Sequence, residues 1–527
     1  MYAEKCFING KFYTMEKEGE FFEAIAVRDN KIVAVGSNAD IEKMKSDQTI
    51  DLEGKTVLPG LTDSHIHILA YGKTLKTVAL RGTRSVEEVK DKLREKAKST
   101  PKGEWIVGIG FDHENFDEKR IPNRYDLDDV SNEHPIFIVR YCLHVRVANS
   151  LALELGGIDR NYETEAPDLM KVDENGEPNG ILWETAALPI MNMLPDPVAT
   201  HEDKKNAVES VCKELISYGV TSAHTVQGKF VGAEEYMNVY QDLEAEGRLP
   251  VRMYVAFDEF PSFSMRTGFG NEKIKYGFYK IYMDGSLGSR GAAIYEPYCD
   301  SPGENGFLLH SREEMEALVQ KAYEQDIQLG IHSIGDRSAE IIISAMEKAY
   351  HANPKKDVRF RLIHALLLNA DLIERMGKLG VIAEAQPIFV ATNMSWTEDR
   401  IGPERTRYAY AWKKLIDAGV VVTGSSDAPV QGVNPFPAIY ASATRLNLDG
   451  YPEGGWYSEN KVSVYEAVCM YTINGAYCSF EEDIKGTIAV GKLADLAVID
   501  KDIFEIDPKE IKDIKVLQTY LGGERVY

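Results

Sequence analysis

VLPGLTDSHIHIL, residues 57–69, is the stretch from which both a fold and a chemistry can be read. Side chains alternate along a strand, so His65 and His67 point the same way and Ile66 the other. On the strand of a closed barrel, that parity aims both imidazoles inward at one cation and packs Ile66 outward against helices. Neutral imidazole is a frequent ligand of zinc and similar metals and binds near neutral pH with little protonation cost. The competing reading is two polar residues on a solvated strand. The Pro-Gly pair and the apolar run before the motif favour the first. Asp63 shares the face of the two histidines and is expected as a hydrogen-bond partner behind them.

Outward from this stretch, short apolar runs alternate with amphipathic ones. Strand candidates are 62–68, 135–141 (PIFIVRY), 219–225, 279–284, 328–333, 361–365, 381–385 and 421–427. Helices between them open on Ser-x-x-Glu capping boxes at Ser311 and Glu314, with the same spacing at Ser85 and Glu88 and at Ser463 and Glu466. Eight strands alternating with helices predict an α/β fold, a (β/α)8 TIM barrel. A doubly wound open sheet fits the alternation equally well, and the placement of polar residues decides against it. Lys280, His332, His364 and Asp427 each stand at the carboxyl end of a different predicted strand. Taken singly, each has an ordinary explanation: a lysine that snorkels or pairs with Asp284, two hydrogen-bonded core histidines, a turn-capping aspartate. Taken together they converge on the upper face of a barrel, where buried charge persists only if it is paired or bound to metal.

Both ends of the chain alternate in strand fashion, with Asn9-Gly10 and Asp29-Asn30 as hairpin turns. Neither end can close a core alone, so residues 1–57 and 485–527 are expected to form one small β-sandwich. The barrel then spans 58–484, with an excursion at about 82–160 covering its mouth. Trp105, Phe111, Phe116 and Trp183 are read as the core of that excursion or as an apolar contact for substrate.

The 527 residues carry 60 Lys and Arg against 83 Asp and Glu, a formal charge of −23. Such a surface repels phosphate backbones and anionic lipid, which argues against nucleic-acid and membrane partners and leaves a small-molecule substrate. Six cysteines without a CxxC spacing, no apolar segment of membrane-spanning length and a charged start predict a cytoplasmic protein. Ser425 and Ser426 lack the GxSxG context of a nucleophile.

The order HxH, Lys, His, His, Asp resembles the binuclear members of the amidohydrolase superfamily. VLPGLTDSHIH, HVRVANSLAL, GEPNGILWE, KIYMDGSLGSR, IHSIGDR, GSSDAPV and GTIAVGKLADLAVID resemble its family 3 branch, the group like N-substituted formamide deformylase, over nearly the whole chain. The resemblance implies that His65 and His67 hold one divalent ion and His332 and His364 a second. The ions would be zinc, with manganese, cobalt or iron as substitutes. It implies that Lys280 bridges them as a CO2-derived carbamate, and that Asp427 is both ligand and proton shuttle for a metal-activated hydroxide. A single-metal site with a free Lys280 is the alternative. Glu184, His144 and Arg290 match further stretches and are carried over as substrate-binding candidates, with a structural ion pair as the competing role for Glu184 and loop-holding for Arg290. His224, placed on the third strand, is followed by Thr225 where the branch more often has Asp. The implied reaction is hydrolysis of a non-peptide amide or formamide C–N bond. A deaminase or esterase on the same metals, and a catalytically inactive ligand-binding or assembly barrel, are the competing functions. The resemblance also allows a homodimer.

Overall fold

The computed structural model describes residues 2–113, 116–140, 145–164, 169–227, 233–261, 264–355 and 357–527. By compactness the chain divides into two units, Met1–Ile68 with Glu209–Tyr527, and Leu69–Val208.

In the first unit eight parallel strands pair in chain order: β1 (Leu61–Ile66), β2 (Val220–Gln227), β3 (Arg252–Phe257), β4 (Ile274–Tyr282), β5 (Gln328–Ser333), β6 (Arg361–His364), β7 (Ile382–Ala385) and β8 (Val422–Gly424). Across the seam between β8 and β1, Ser64 Oγ reaches Thr423 Oγ1 at 2.9 Å and the Gly424 carbonyl at 3.0 Å. Just above it, Asp427 N donates to His65 O and His67 N to Ala428 O, both at 2.9 Å. The result is a (β/α)8 barrel with Val226, Tyr254, Ala256, Phe278 and Ile363 packed together in one buried cluster.

One strand assignment changes. PIFIVRY does not belong to the barrel: Ile136–Arg140 lies in the sheet of the second unit. The barrel strand that takes its place is β3, RMYVAF, buried at every residue. A strand covered on both faces loses the alternation that marks a half-exposed one, so it carried no signal of its own. Consequently His224 stands on β2, the second barrel strand rather than the third.

Helices α1 (Ala233–Ala245), α2 (Arg312–Glu324), α3 (Asp336–Ala352), α4 (Ala370–Leu379) and α5 (Ile388–Thr406) follow β2, β4, β5, β6 and β7. Both halves of the capping box form at Ser311–Glu314 and at Ser463–Glu466. At Ser85 the serine accepts from Glu88 N, and the Glu88 carboxylate turns to Arg84 N instead.

The ends of the chain meet in a six-stranded sheet that joins Leu496–Ile499 and Val516–Leu521 to Thr56–Pro59 and Lys11–Tyr13, beside a four-stranded sheet built on Tyr2–Ile8. Phe7, Phe12, Ile25, Val57, Leu496 and Tyr520 share one core. Asp29 and Asn30, at φ 51° and 60°, form the expected hairpin turn. Asn9-Gly10 does not, because the strands on its two sides belong to different sheets.

The second unit, Leu69–Val208, is wider than the excursion expected at 82–160. Its six-stranded sheet needs the late strands Met170–Val172 and Pro178–Trp183 to pair beyond Val145–Ala148. Phe111 and Phe116 are fully buried in its core, and Trp105 packs against a second cluster of the same unit. Asn149 is buried and ties four backbone groups, those of Ile136, Ala152, Ser131 and His134. The described cysteines are all free, four of them buried; Cys142 lies outside the described residues. No helix among the described residues is long and apolar enough to cross a membrane.

A charge cluster near the start of β4 makes acid stability testable. Glu481 is 4% exposed and sits 2.8 Å from Lys275 and 2.6 Å from Lys485. Burial works to raise its carboxyl, but the two ammonium groups outweigh burial and hold it down at about 2. A carboxylate held below its unfolded value stabilises fully above about pH 4.5, and that contribution fades as pH falls towards the folded value. The gap in unfolding free energy, from urea titration, between wild type and Glu481→Gln is therefore expected to be on the order of 2 kcal/mol at pH 6 and to narrow between pH 5 and pH 3. A constant gap would rule out the ionised cluster.

Candidate metal centre

The first strand ends at the carboxyl rim of the barrel at Ile66, with His67 directly after it. His65 and His67 lie with ring centres 5.2 Å apart. Asp427, on the turn after β8, places Oδ1 3.4 Å from His67 Nε2 and 3.6 Å from His65 Nε2. These contacts are longer than a strong charge-assisted hydrogen bond of about 2.8 Å. They match instead the edge of a tetrahedral shell around zinc, about 3.3 Å for ligand bonds near 2.0 Å. The three donor atoms lie within 4.8 Å of one another. His332, on β5, and His364, on β6, stand beside them, with ring centres 4.5 Å apart and His364 5.8 Å from His65.

Hydrogen bonds fix one nitrogen on two of the four rings. His67 Nδ1 lies 3.2 Å from the Val226 carbonyl and His364 Nδ1 2.6 Å from Gln386 Oε1, so both donate there and leave Nε2 for a cation. His65 Nδ1 lies 2.5 Å from Glu384 Oε1, close but not aligned for a hydrogen bond. His332 Nε2 is buried without a hydrogen bond, 3.4 Å from Asp284 Oδ1. Burial, with the positive groups around it, pushes His65 well below the usual imidazole value and His364 to about 3. Both are neutral at physiological pH, as metal ligands must be.

Lys280 completes the set. It is 1% exposed on β4, with Nζ 4.8 Å from the Tyr282 ring centre and no ion pair among the described residues. The alternative pairing with Asp284 does not form among the described residues. The Asp284 carboxylate accepts from the amides of Ala293, Ile334 and Gly335 and from Ser338 Oγ, which anchors the turns after β4 and β5. Burial lowers the Lys280 amine to about 8, against the pull of Glu384 and Asp427. An unpaired buried amine near these histidines and the Asp427 carboxylate makes a donor set that fits a divalent-cation site.

Three residues behind these donors escaped the sequence reading. Glu384, on β7 and fully buried, accepts from Arg361 Nε at 2.7 Å and from its Nη2. Arg361 Nη2 also donates to Ser64 O at 2.8 Å, so one guanidinium ties β6 to β7 and to the HxH strand. Gln386 passes a second bond to Ser425 Oγ at 2.9 Å. Glu384 could have been suspected as the one charged residue inside an otherwise apolar strand. Asp63 does not touch the rings. It accepts from His65 N and Ser426 N, pinning β1 to the turn after β8, and burial raises it to about 7. His364 and Asp427 adopt left-handed backbone, at φ 72° and 56°, a strain common where a side chain must be aimed.

Of the substrate candidates, Arg290 is paired through Nε and Nη2 with Asp300, which also binds Arg400, so its observed contact holds its own loop. Glu184 is exposed on a short 3-10 turn of the second unit. His144 lies outside the described residues.

Residues 48–527 match the model of the amidohydrolase family. The chain belongs to the amidohydrolase family. It is thus a metal-dependent hydrolase, of the class acting on carbon–nitrogen bonds other than peptide bonds. This amidohydrolase is 33% identical to YtcJ of Bacillus subtilis (strain 168), a protein named as an amidohydrolase, over 98% of both chains. It is 26% identical to the N-substituted formamide deformylase of Arthrobacter pascens over 98% of this chain and 97% of that one. Among solved structures, an uncharacterized metal-dependent hydrolase from Pyrococcus horikoshii OT3 superposes with a TM-score of 0.77 at 26% identity, covering 96% of this amidohydrolase and 99% of that chain.

Proposed function

We propose that this amidohydrolase cleaves a small non-peptide amide, of the formamide or N-acyl kind, at a pair of divalent cations. The observation that carries the reading is the spacing of His65 Nε2, His67 Nε2 and Asp427 Oδ1, set beside a second histidine pair and an unpaired buried amine. His65, His67 and Asp427 would hold one cation and His332 and His364 the other. When bound, such ions supply Lewis acidity, lowering the pKa of water and polarising a carbonyl oxygen.

The remaining work belongs to the chain. Lys280, with its amine lowered to about 8, holds a substantial neutral fraction at physiological pH. Neutral Nζ could add to the carbon of CO2 and release one proton, which would put an anionic N-carboxylate where a cation would repel an ammonium. Asp427 is kept ionised: burial works to raise its carboxyl, yet His67, His364 and Lys280 together bring it below the usual value. Its carboxylate is placed to accept the proton of the attacking water and to return it to the departing nitrogen. The likeness to an N-substituted formamide deformylase over the full length supports the choice of amide.

The test is a panel of N-formyl amines, N-acyl amines and matched esters, assayed with and without zinc, manganese or cobalt. Metal-dependent turnover of the amides above the esters is expected, and esters turned over faster would replace this reading. For Lys280, labelled bicarbonate is expected to give a carbamate signal by carbon NMR in the wild type and none in Lys280→Ala. Activity of Lys280→Ala is expected to return in part with acetate or propionate. A fully active wild type without the carbamate would favour one metal and a free lysine.

A further inference from the structure

The barrel lacks a helix in one place. Between β3, ending at Phe257, and β4, starting at Ile274, no helix forms among the described residues. Instead the chain folds back on the start of β4. Gly268 N donates to Tyr276 O, Tyr276 N to Phe269 O, and Asn271 N to Ile274 O, at 2.8–2.9 Å. Gly270 cannot be replaced here, since a Cβ would lie 2.1 Å from the Ile274 carbonyl.

β4 also carries one extra residue opposite β3: Val255 pairs with Tyr276, but Phe257 with Tyr279. Such a bulge shifts side-chain parity. Phe278 stays in the interior cluster, whereas Tyr276 stacks on Phe257 at 6.3 Å and 11°, and Tyr279 packs edge-on against Phe260. The outer face of β3 and β4 thus presents aromatic rings where a helix would ordinarily cover them.

The space left is a cavity of about 490 Å³ between α1 and this loop, walled by Met237, Phe257, Phe260, Met265, Ile274 and Tyr276. That volume suits a small molecule. Tyr276 is fully buried in the wall, its hydroxyl closed to solvent and without a hydrogen-bond partner. Glu234 and Glu259, both exposed, border the cavity, and neither pairs with a cation among the described residues. Glu244 also borders it but accepts from Asn271 Nδ2 at 3.0 Å. No Lys or Arg contributes to the described lining. The aromatic wall already attracts positive charge: Lys321 Nζ stands 3.8 Å from the Phe260 ring centre.

We infer that this cavity is a ligand site, separate from the metal centre, for an organic ammonium cation with an aromatic body. The aromatic and thioether side chains take the apolar body, and Glu234 and Glu259 face the ammonium. Anions are excluded by the carboxylates, and an uncharged apolar guest leaves both carboxylates without a role.

The test uses the full-length, metal-loaded protein and isothermal titration with para-hydroxyphenyltrimethylammonium, compared with its uncharged isostere para-tert-butylphenol. The cation is expected to bind with a Kd of about 1 mM or tighter. The isostere is expected to bind about fivefold more weakly or worse. The double variant Glu234→Gln/Glu259→Gln, altered only at exposed positions, is expected to weaken the cation about three- to tenfold. Met237→Trp, which fills the space, is expected to abolish binding, and metal-dependent hydrolysis persists in both variants. The site is overturned by any of three results: no heat with the cation up to about ten times that Kd, equal affinity for the isostere, or binding that survives the double Gln variant unchanged.

Discussion

Asp427→Asn is expected to lower kcat about a thousandfold while the protein stays folded. The amide keeps the shape of the carboxylate and one ligand oxygen but cannot accept the proton of water. The backbone conformation tolerates the change. Asp427 sits at φ 56°, a region that asparagine enters more readily than most residues, and the turn is held by main-chain bonds from Asp427 N to His65 O and from Val430 N to Asp427 O. The thermal midpoint should therefore stay close to wild type. Metal content measured at saturating zinc separates the two roles of the residue. A variant that holds a full metal complement and has lost turnover identifies the proton shuttle. Turnover within tenfold of wild type in a fully loaded variant would remove Asp427 from that role.

The second large effect is expected at Glu384, through stability and metal affinity at once. Glu384→Ala strands the Arg361 guanidinium, which is 0% exposed, without its carboxylate. Breaking a buried pair in this way costs about 3–5 kcal/mol. Replacing both members, as in Arg361→Met with Glu384→Leu, is expected to recover most of that loss, because no charge is left stranded. Metal affinity should not recover. His65 keeps no carboxylate at Nδ1 in either variant, and loss of such a second contact typically weakens metal binding about 10–100-fold. Urea unfolding of the metal-free proteins and zinc titration against a competing chelator measure the two quantities separately. A double variant with wild-type zinc affinity would show that Glu384 serves the fold alone.

The candidate donors were legible because each announces itself locally. His65 and His67 follow from strand parity, while Lys280, His332, His364 and Asp427 follow from polar residues at the ends of apolar strands. The structure brings His65, His67 and Asp427 within one coordination distance and sets His332 and His364 beside them. The residues that tune these donors were not legible. Arg361 and Glu384 lie 23 positions apart and meet across adjacent strands. Asp284 looked like a partner for Lys280, yet its oxygens are taken by three amides and a hydroxyl.

The sequence by itself determined that the chain alternates strands with capped helices, that its two ends are strand-rich, and that six polar groups stand at strand termini. These are local facts, set by side-chain period and capping chemistry. Only the tertiary structure decided that RMYVAF, and not PIFIVRY, is a barrel strand, that Glu384 faces His65, and that a bulge after Tyr276 opens an outer cavity. Parity tells which way a side chain points but not which strand lies opposite. A strand buried on both faces has no parity signal at all, so its place is set by the neighbours it pairs with.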